Sequence, residues 1–269
     1  MEYKIGTAAK MLGVSPDLLR YYEKKGVVRP RKDEKNDYRY YEAWDISTLL
    51  ECLWYRGFGF SIDEVSHIVS GDSYETISGE LESREKLLEE SIHRQTLLLE
   101  RLRLHRREME RGRRLLGICD VVQSMETICY MNRHNFAYDE EPEMIRLTQS
   151  WLKYIPFVRR CFEVRLDDLN TVEIEENFSW GLSLDPEYTR EFPVYIREPV
   201  RLLPSRRCVH SVFKSTGKEA FSPRNLRFML EYAEENGLTV CGNAYGNLLC
   251  SAFEDDGQTG YFEVWIPVE

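Results

Sequence analysis

The sequence predicts a multidomain chain: an all-α winged helix-turn-helix over residues 1–72, a long coiled-coil helix over 73–118, and an α+β domain of two βαββ repeats over 119–269. Three observations carry that reading. Two short helical patterns meet at a glycine near the N-terminus, a stretch without proline runs from about Tyr74 to Leu116, and the remainder alternates strand-like and helix-like patches in an order that occurs twice. At 269 residues the chain is also long for one core, so about two domains of ordinary size are expected.

In the first stretch, Ala8, Ala9 and Leu12 form a small apolar face and Gly13 supplies the break. Ser15 followed by Pro16 reads as an N-cap with proline at the first helical position, and Leu18, Leu19 and Tyr22 continue the apolar face on a second helix. Small residues let the first helix cross closely over the second, which turns its polar side outward; any pair of short packed helices shares this pattern. The segment RPRKDEKNDYRYY predicts a β-hairpin with its turn near Lys35 to Asp37. Two more helices are signalled over 43–55 and 61–69, the second opened by Ser61 with Glu64 at capping-box spacing.

Stepping four then three residues from Leu81 to Leu116 meets apolar side chains at seven of eleven positions: Leu81, Leu88, Ile92, Leu99, Leu102, Met109 and Leu116. A helix of this length spans on the order of 60 Å and cannot bury such a stripe alone. It lies either on a large core of its own chain or, as the Arg and Glu flanks favour, in a two-stranded coiled coil. Further on, METICYMNRH, MIRLTQSWLKYI, FEVRL and VEIEENFSWGLSL give strand, helix, strand, strand; RRCVHSVFKS, RNLRFMLEYAEENG, NAYGNLLCSAF and GYFEVWIPV repeat that order.

The net charge of −10 is uneven. Residues 119–269 hold 25 acidic against 15 basic groups, whereas residues 15–41 hold 8 basic against 5 acidic, so a local basic patch survives on the helical head. An acidic tail attracts cations and repels nucleic acid. The N-terminus lacks an apolar signal segment and no apolar run approaches a membrane span, so a cytoplasmic chain without membrane attachment is expected. Seven scattered cysteines, an odd number without C-x-x-C, read as reduced thiols, and neither they nor the five histidines show metal-ligand spacing.

The strings IGTAAKMLGVSPDLLRYYEKKGVV, DYRYY and RGFGFSIDEVSHIV closely resemble the MerR family of bacterial transcriptional regulators. The resemblance implies a dimer whose antiparallel long helices set two heads on promoter double-stranded DNA, an activator role, and engagement of RNA polymerase once a distorted spacer aligns both promoter elements. Residue by residue it implies DNA contacts from Ser15, Arg20, Tyr21 and Lys24 on the recognition helix, from Tyr38, Arg39 and Tyr40 on the wing, and from Arg56 near the following turn. Arg20 and Tyr21 are expected to read bases and the lysine to position the backbone. Tyr22 is expected in the core. Asp37 stands where the family has glycine, and aspartate tolerates the left-handed backbone a tight turn needs.

EYAEENGL, GNAYGNLL and YFEVWIPV resemble the GyrI-like effector-binding domain of multidrug-binding members. Alternation along the last strand places Tyr261, Glu263 and Trp265 on one face and Phe262, Val264 and Ile266 on the other. A glutamate among rings is costly to desolvate unless it meets a cation, so the expected effector is a small lipophilic cation or aromatic molecule. Glu263 pointing to solvent is the plain alternative. Tyr130, Phe136, Trp151, Tyr154, Trp180, Tyr188 and Tyr245 are further candidates to line the groove, each equally suited to plain core. Neither catalytic residues, a metal nor a cofactor is expected, and weak hydrolysis of the effector by Glu263 is the alternative function.

Overall fold

A computed structural model of the chain describes residues 1–33, 37–169, 177–217, 221–255 and 257–269. The predicted hairpin turn at Lys35 and Asn36, and the start of the strand expected from Val172, lie outside the described residues. The chain divides into two compact units, Met1–Gln95 and Thr96–Glu269. That boundary falls inside the long helix, which the sequence treats as a segment of its own.

The first unit runs β1 (Glu2–Lys4), α1 (Ile5–Leu12), α2 (Pro16–Lys24), β2 (Arg31–Lys32), β3 (Arg39–Glu42), α3 (Ala43–Gly57) and α4 (Ile62–Gly71), then enters α5 (Tyr74–Leu115). Gly13 ends α1 at φ 67°, a left-handed position that glycine adopts without a Cβ penalty. Ser15 caps α2, its hydroxyl accepting from the Leu18 amide, with Pro16 at the first helical position. Ala8, Ala9, Leu19 and Tyr22 pack with Leu49, Cys52 and Val65 in one core, so Tyr22 is a packing residue as expected. Leu19 and Leu49 are fully buried, each worth about 1.5–3 kcal/mol. Ser61 and Glu64 form the expected capping box of α4.

The head is not purely helical. Glu2–Lys4, which carries no strand signal of its own, pairs antiparallel with β3 (Tyr3 opposite Tyr41), making a three-stranded sheet of order β1, β3, β2. Asp37 sits at φ 56°, the left-handed backbone its position requires.

The second unit contains the C-terminal half of α5, then β4 (Asp120–Gln123), β5 (Thr127–His134), β6 (Ala137–Tyr138), α6 (Pro142–Leu152), β7 (Arg159–Val164), α7 (Leu166–Leu169), β8 (Ser179–Leu184), β9 (Arg201–Leu203), β10 (Arg207–Thr216), α8 (Arg227–Glu235), β11 (Ala244–Glu254) and β12 (Gly257–Pro267). Two βαββ units, β5-α6-β7-β8 and β10-α8-β11-β12, form one antiparallel sheet of order β4-β10-β12-β11-β7-β8-β5-β6, with β9 beside β5. The short strands β4, β6 and β9 are additions that no extended alternation announces.

One face of this sheet is the core. Phe162, Trp180, Phe213, Phe262, Val264 and Ile266 pack with Met229 and Ala233 of α8, while Ile128, Tyr130, Leu182 and Leu184 pack with Trp151 of α6. The opposite face carries His210, Val212, Tyr245, Asn247, Glu263 and Trp265 beneath α5. Gly112 permits that approach: a Cβ there would stand 2.7 Å from Leu249 Cδ1. The end of α5 is tied to β10 by the Gly117 amide donating to the Val212 carbonyl at 2.7 Å.

Candidate functional site

Two places gather the residues that the sequence singles out. The first is the outer side of α2. Its hydrophobic positions face the core, which leaves Arg20, Tyr21 and Lys24 exposed. Arg20 pairs with Asp17 one turn earlier on the exposed surface, where such a pair contributes little.

The wing residues are tied more tightly than the sequence suggests. Arg39 Nε donates to Glu23 Oε2 at 2.5 Å, and Lys32 Nζ stands 2.9 Å from Glu23 Oε1, so one carboxylate on α2 fastens both strands of the hairpin. Burial raises the proton affinity of Glu23, but the hydrogen bonds from Arg39 and Lys32 outweigh it and hold the carboxyl below its ordinary range. Arg31 stacks on Tyr40 at 4.9 Å and pairs with Glu2. Tyr38 is exposed, with Lys4 Nζ 5.9 Å from its ring centroid. Arg56 donates to the Phe60 carbonyl, closing the turn after α3. Glu23, Lys32 and Arg31 are the residues that sequence reasoning missed here; only their charge, in a segment of mixed charges, could have marked them.

The second place is a cavity of about 580 Å³ between α5 and the polar face of the second sheet. Its floor is two cross-strand rows set by the register of β10, β12 and β11: His210, Trp265 and Tyr245 in one, Val212, Glu263 and Asn247 in the next. The first row is a ring stack, with His210 to Trp265 centroids 5.1 Å apart at 13° and Tyr245 to Trp265 5.7 Å at 18°. Burial pushes the Tyr245 phenol well above its ordinary range.

Glu263 is 1% exposed. Its Oε1 accepts from Arg111 Nη2 at 2.7 Å and Nε at 3.1 Å, and lies 3.0 Å from His210 Nε2. His210 Nδ1 in turn lies 3.0 Å from Asp120 Oδ1. A cation does face Glu263, but it is the guanidinium of Arg111 on α5 of the same chain and not an effector. A carboxylate so engaged is poorly placed to act as a free general base. Deeper along α5, Glu108 accepts from Arg101 Nη1 at 3.2 Å and Arg159 Nη1 at 3.0 Å. Burial raises Glu108, but the charges of Arg159 and Arg101 overcome that and keep it ionised below the usual carboxylate range.

Of the expected effector residues, Glu263, Trp265 and Tyr245 meet in this cavity. Tyr261 shares their face of β12 but lines a neighbouring hollow beside Gly112 and Leu249, and its hydroxyl donates to Glu254. Tyr130, Trp151, Tyr154 and Tyr188 do not join them. Tyr130 and Trp151 meet edge to face at 4.9 Å, Tyr154 stacks on Phe192 at 4.7 Å, and Tyr188 packs on Phe157, all in the core around α6. Trp180 is in the core beneath α8, and half-exposed Phe136 packs edge to face on Phe178 of that same core. The alternation that puts Glu263 in the groove sends Tyr130 and Trp180 to the other face. Arg111 and His210, which complete the site, sit 152 and 53 residues from Glu263, beyond any local pattern.

Among the described residues no helix is long and apolar enough to cross a membrane, and no group of three or more His, Cys, Asp or Glu could hold a metal ion.

Residues 3–72 match the family model of MerR HTH family regulatory proteins. The HTH-type transcriptional regulator PA4778 of Pseudomonas aeruginosa is 39% identical over 66 residues, 24% of this chain and 50% of the relative, so the chain spans about half the length of that curated relative. Among solved structures, the EcmrR-DNA complex in EcmrR-RPo covers 99% of both chains at 19% identity and a TM-score of 0.39. The HTH-type transcriptional regulator YyaN of Bacillus subtilis is 31% identical over 113 residues, 40% of this chain and 80% of its own length. That span runs past the head that the family model matches, and with it the Ser15-capped α2 and the Glu23-bound wing have their place: the chain belongs to the MerR family of HTH-type transcriptional regulators.

Proposed function

We propose that this protein is a ligand-responsive transcriptional activator that binds promoter double-stranded DNA as a homodimer in the cytoplasm. With a small lipophilic cation or aromatic effector in the cavity of the second unit, it distorts the promoter spacer so that RNA polymerase engages both promoter elements.

The observation that carries the reading is the exposed row Arg20, Tyr21 and Lys24 on α2, within a head that matches the family model. Arg20 and Tyr21 supply base-edge contacts and Lys24, with the wing, holds phosphates. Dimerisation is supported by the seam of α5: Leu81, Leu88, Ile92, Leu99, Leu102, Met109 and Leu116 are each more than a third exposed in the single chain. The effector reading is supported by the Trp265 and Tyr245 stack beside Glu263.

Selection of duplexes from a random pool by the full chain, followed by fluorescence anisotropy across a salt series, tests the proposal. Lys24→Ala should lower the salt slope by about 1, and Arg20→Ala should cost about 1–3 kcal/mol on the selected duplex and relax its sequence preference. Failure to enrich any duplex, or wild-type behaviour of both variants, removes the reading.

A further inference from the structure

Glu263 presents a carboxylate that is 1% exposed, and the side chain seated on it is itself 44% exposed. Arg111 reaches in from α5 and places both Nε and Nη2 on the single oxygen Oε1, at 3.1 and 2.7 Å. This differs from the fork-on-fork arrangement, in which two parallel bonds use both carboxylate oxygens and hold a guanidinium most firmly. His210 Nε2 crowds the same oxygen at 3.0 Å, so Oε2 receives none of these three bonds. Arg111 therefore has a buried acceptor at one end, water at the other, and a one-oxygen hold between them. Next to it runs the row of rings His210, Trp265 and Tyr245.

We propose that Arg111 is a built-in counter-cation that fills the charged subsite of the effector cavity, and that a cationic aromatic ligand binds by displacing it from Glu263 and taking its place beside the ring row. The inference rests on the effector reading above and specifies how that site is gated. A ligand cation needs Glu263, which it can reach only when Arg111 has swung toward solvent. Arg111 lies one turn before the end of α5, flanked by Glu108 with its two arginines and by Gly112 against Leu249. Its release removes one of the ties that hold the last turn of α5, leaving the Gly117 amide on the Val212 carbonyl. If Arg111 is seated about nine-tenths of the time, the apparent affinity for a cation is about tenfold weaker than without it, because only the open fraction binds.

The experiment measures binding of rhodamine 6G, a cationic aromatic dye, and fluorescein, an anionic one, to the full chain by tryptophan quenching, in wild type, Arg111→Gln, Arg111→Lys and Glu263→Gln. Rhodamine 6G should bind Arg111→Gln about tenfold or more tightly than wild type, bind Arg111→Lys close to wild type, and bind Glu263→Gln at least tenfold more weakly; fluorescein should show no such gain. Amide exchange over residues 109–116 should rise when the dye binds wild type and already be fast in Arg111→Gln. Dye bound only by Arg111→Gln also supports the proposal. Equal or weaker dye binding by Arg111→Gln, with Glu263→Gln still impaired, overturns the counter-cation and leaves the cavity reading standing. Undiminished binding by Glu263→Gln, or no dye bound by any variant, overturns both.

Discussion

Replacing Glu108 with alanine tests how α5 is held on the second unit. Glu108, Arg101 and Arg159 have side chains 6%, 5% and 16% exposed. Removal of the carboxylate leaves the two guanidiniums unequally placed. Arg159 keeps its hydrogen bond to Asp185, whereas among the described residues the hydrogen bond left to Arg101 runs to the uncharged Pro156 carbonyl, 3.3 Å from its Nε. One buried charge is therefore stranded, and breaking a buried pair in this way costs about 3–5 kcal/mol. With a slope of about 2–3 kcal/mol per molar in urea, the unfolding midpoint of the second unit should fall by about 1–2 M. The double replacement Arg101→Met with Glu108→Leu removes both charges and should recover most of that loss, since apolar side chains of similar volume often substitute for a buried pair at little cost. Urea titration followed by tryptophan fluorescence reads all three proteins. A Glu108→Ala midpoint within 0.3 M of wild type, a margin on the order of the extrapolation error, would refute the stranded-charge argument.

Further consequences follow from the same geometry. Because Glu108 is held below its ordinary value of 4.5, its contribution is complete above the unfolded-state value and lost as pH falls through the folded one, so the midpoint should hold from pH 7 to 5 and drop on further acidification. Ser15→Ala removes the hydroxyl that accepts from the Leu18 amide and should cost about 1 kcal/mol in the first unit. Leu88→Asp should convert the proposed dimer into monomer in light scattering, given a side chain 58% exposed on the seam; an unchanged mass would overturn the α5 seam as the dimer contact.

The parts of the fold legible in the sequence are those fixed by neighbours within a few residues. Gly13, Ser15 and Pro16 mark the turn between α1 and α2 because a left-handed position, a capping hydroxyl and a fixed φ are local demands. Alternation along β12 separates Phe262 from Glu263 for the same reason. Strand β1 was illegible because Glu2–Lys4 gains its conformation by pairing with β3, some forty residues on. The rings were the larger difficulty. Tyr130 and Tyr245 carry the same side chain, but one packs on Trp151 and the other on Trp265, and only the register of the whole sheet decides which face each meets. The arginine facing Glu263 was beyond reach because α5 carries Arg103, Arg106, Arg107, Arg111, Arg113 and Arg114 on several sides, and the helix pattern alone does not say which one the sheet receives.

The charge of the second unit also takes a different meaning from its structure. An acidic excess suggests a field that draws cations in, but buried Glu108, Glu163 and Glu263 are each paired with an arginine of the same chain: Arg101 and Arg159, Arg201, and Arg111. At the proposed site a cationic ligand would gain less from charge than an unpaired carboxylate would give it, since it competes with a tethered guanidinium at high effective concentration. What the tethered arginine does not supply is ring area against Trp265 and Tyr245. On the counter-cation proposal, free arginine or a simple ammonium ion should therefore not displace it, whereas a flat cation that stacks while it pairs should; selectivity among cations would then arise at the ring row, with Glu263 setting the sign of the charge and part of the affinity.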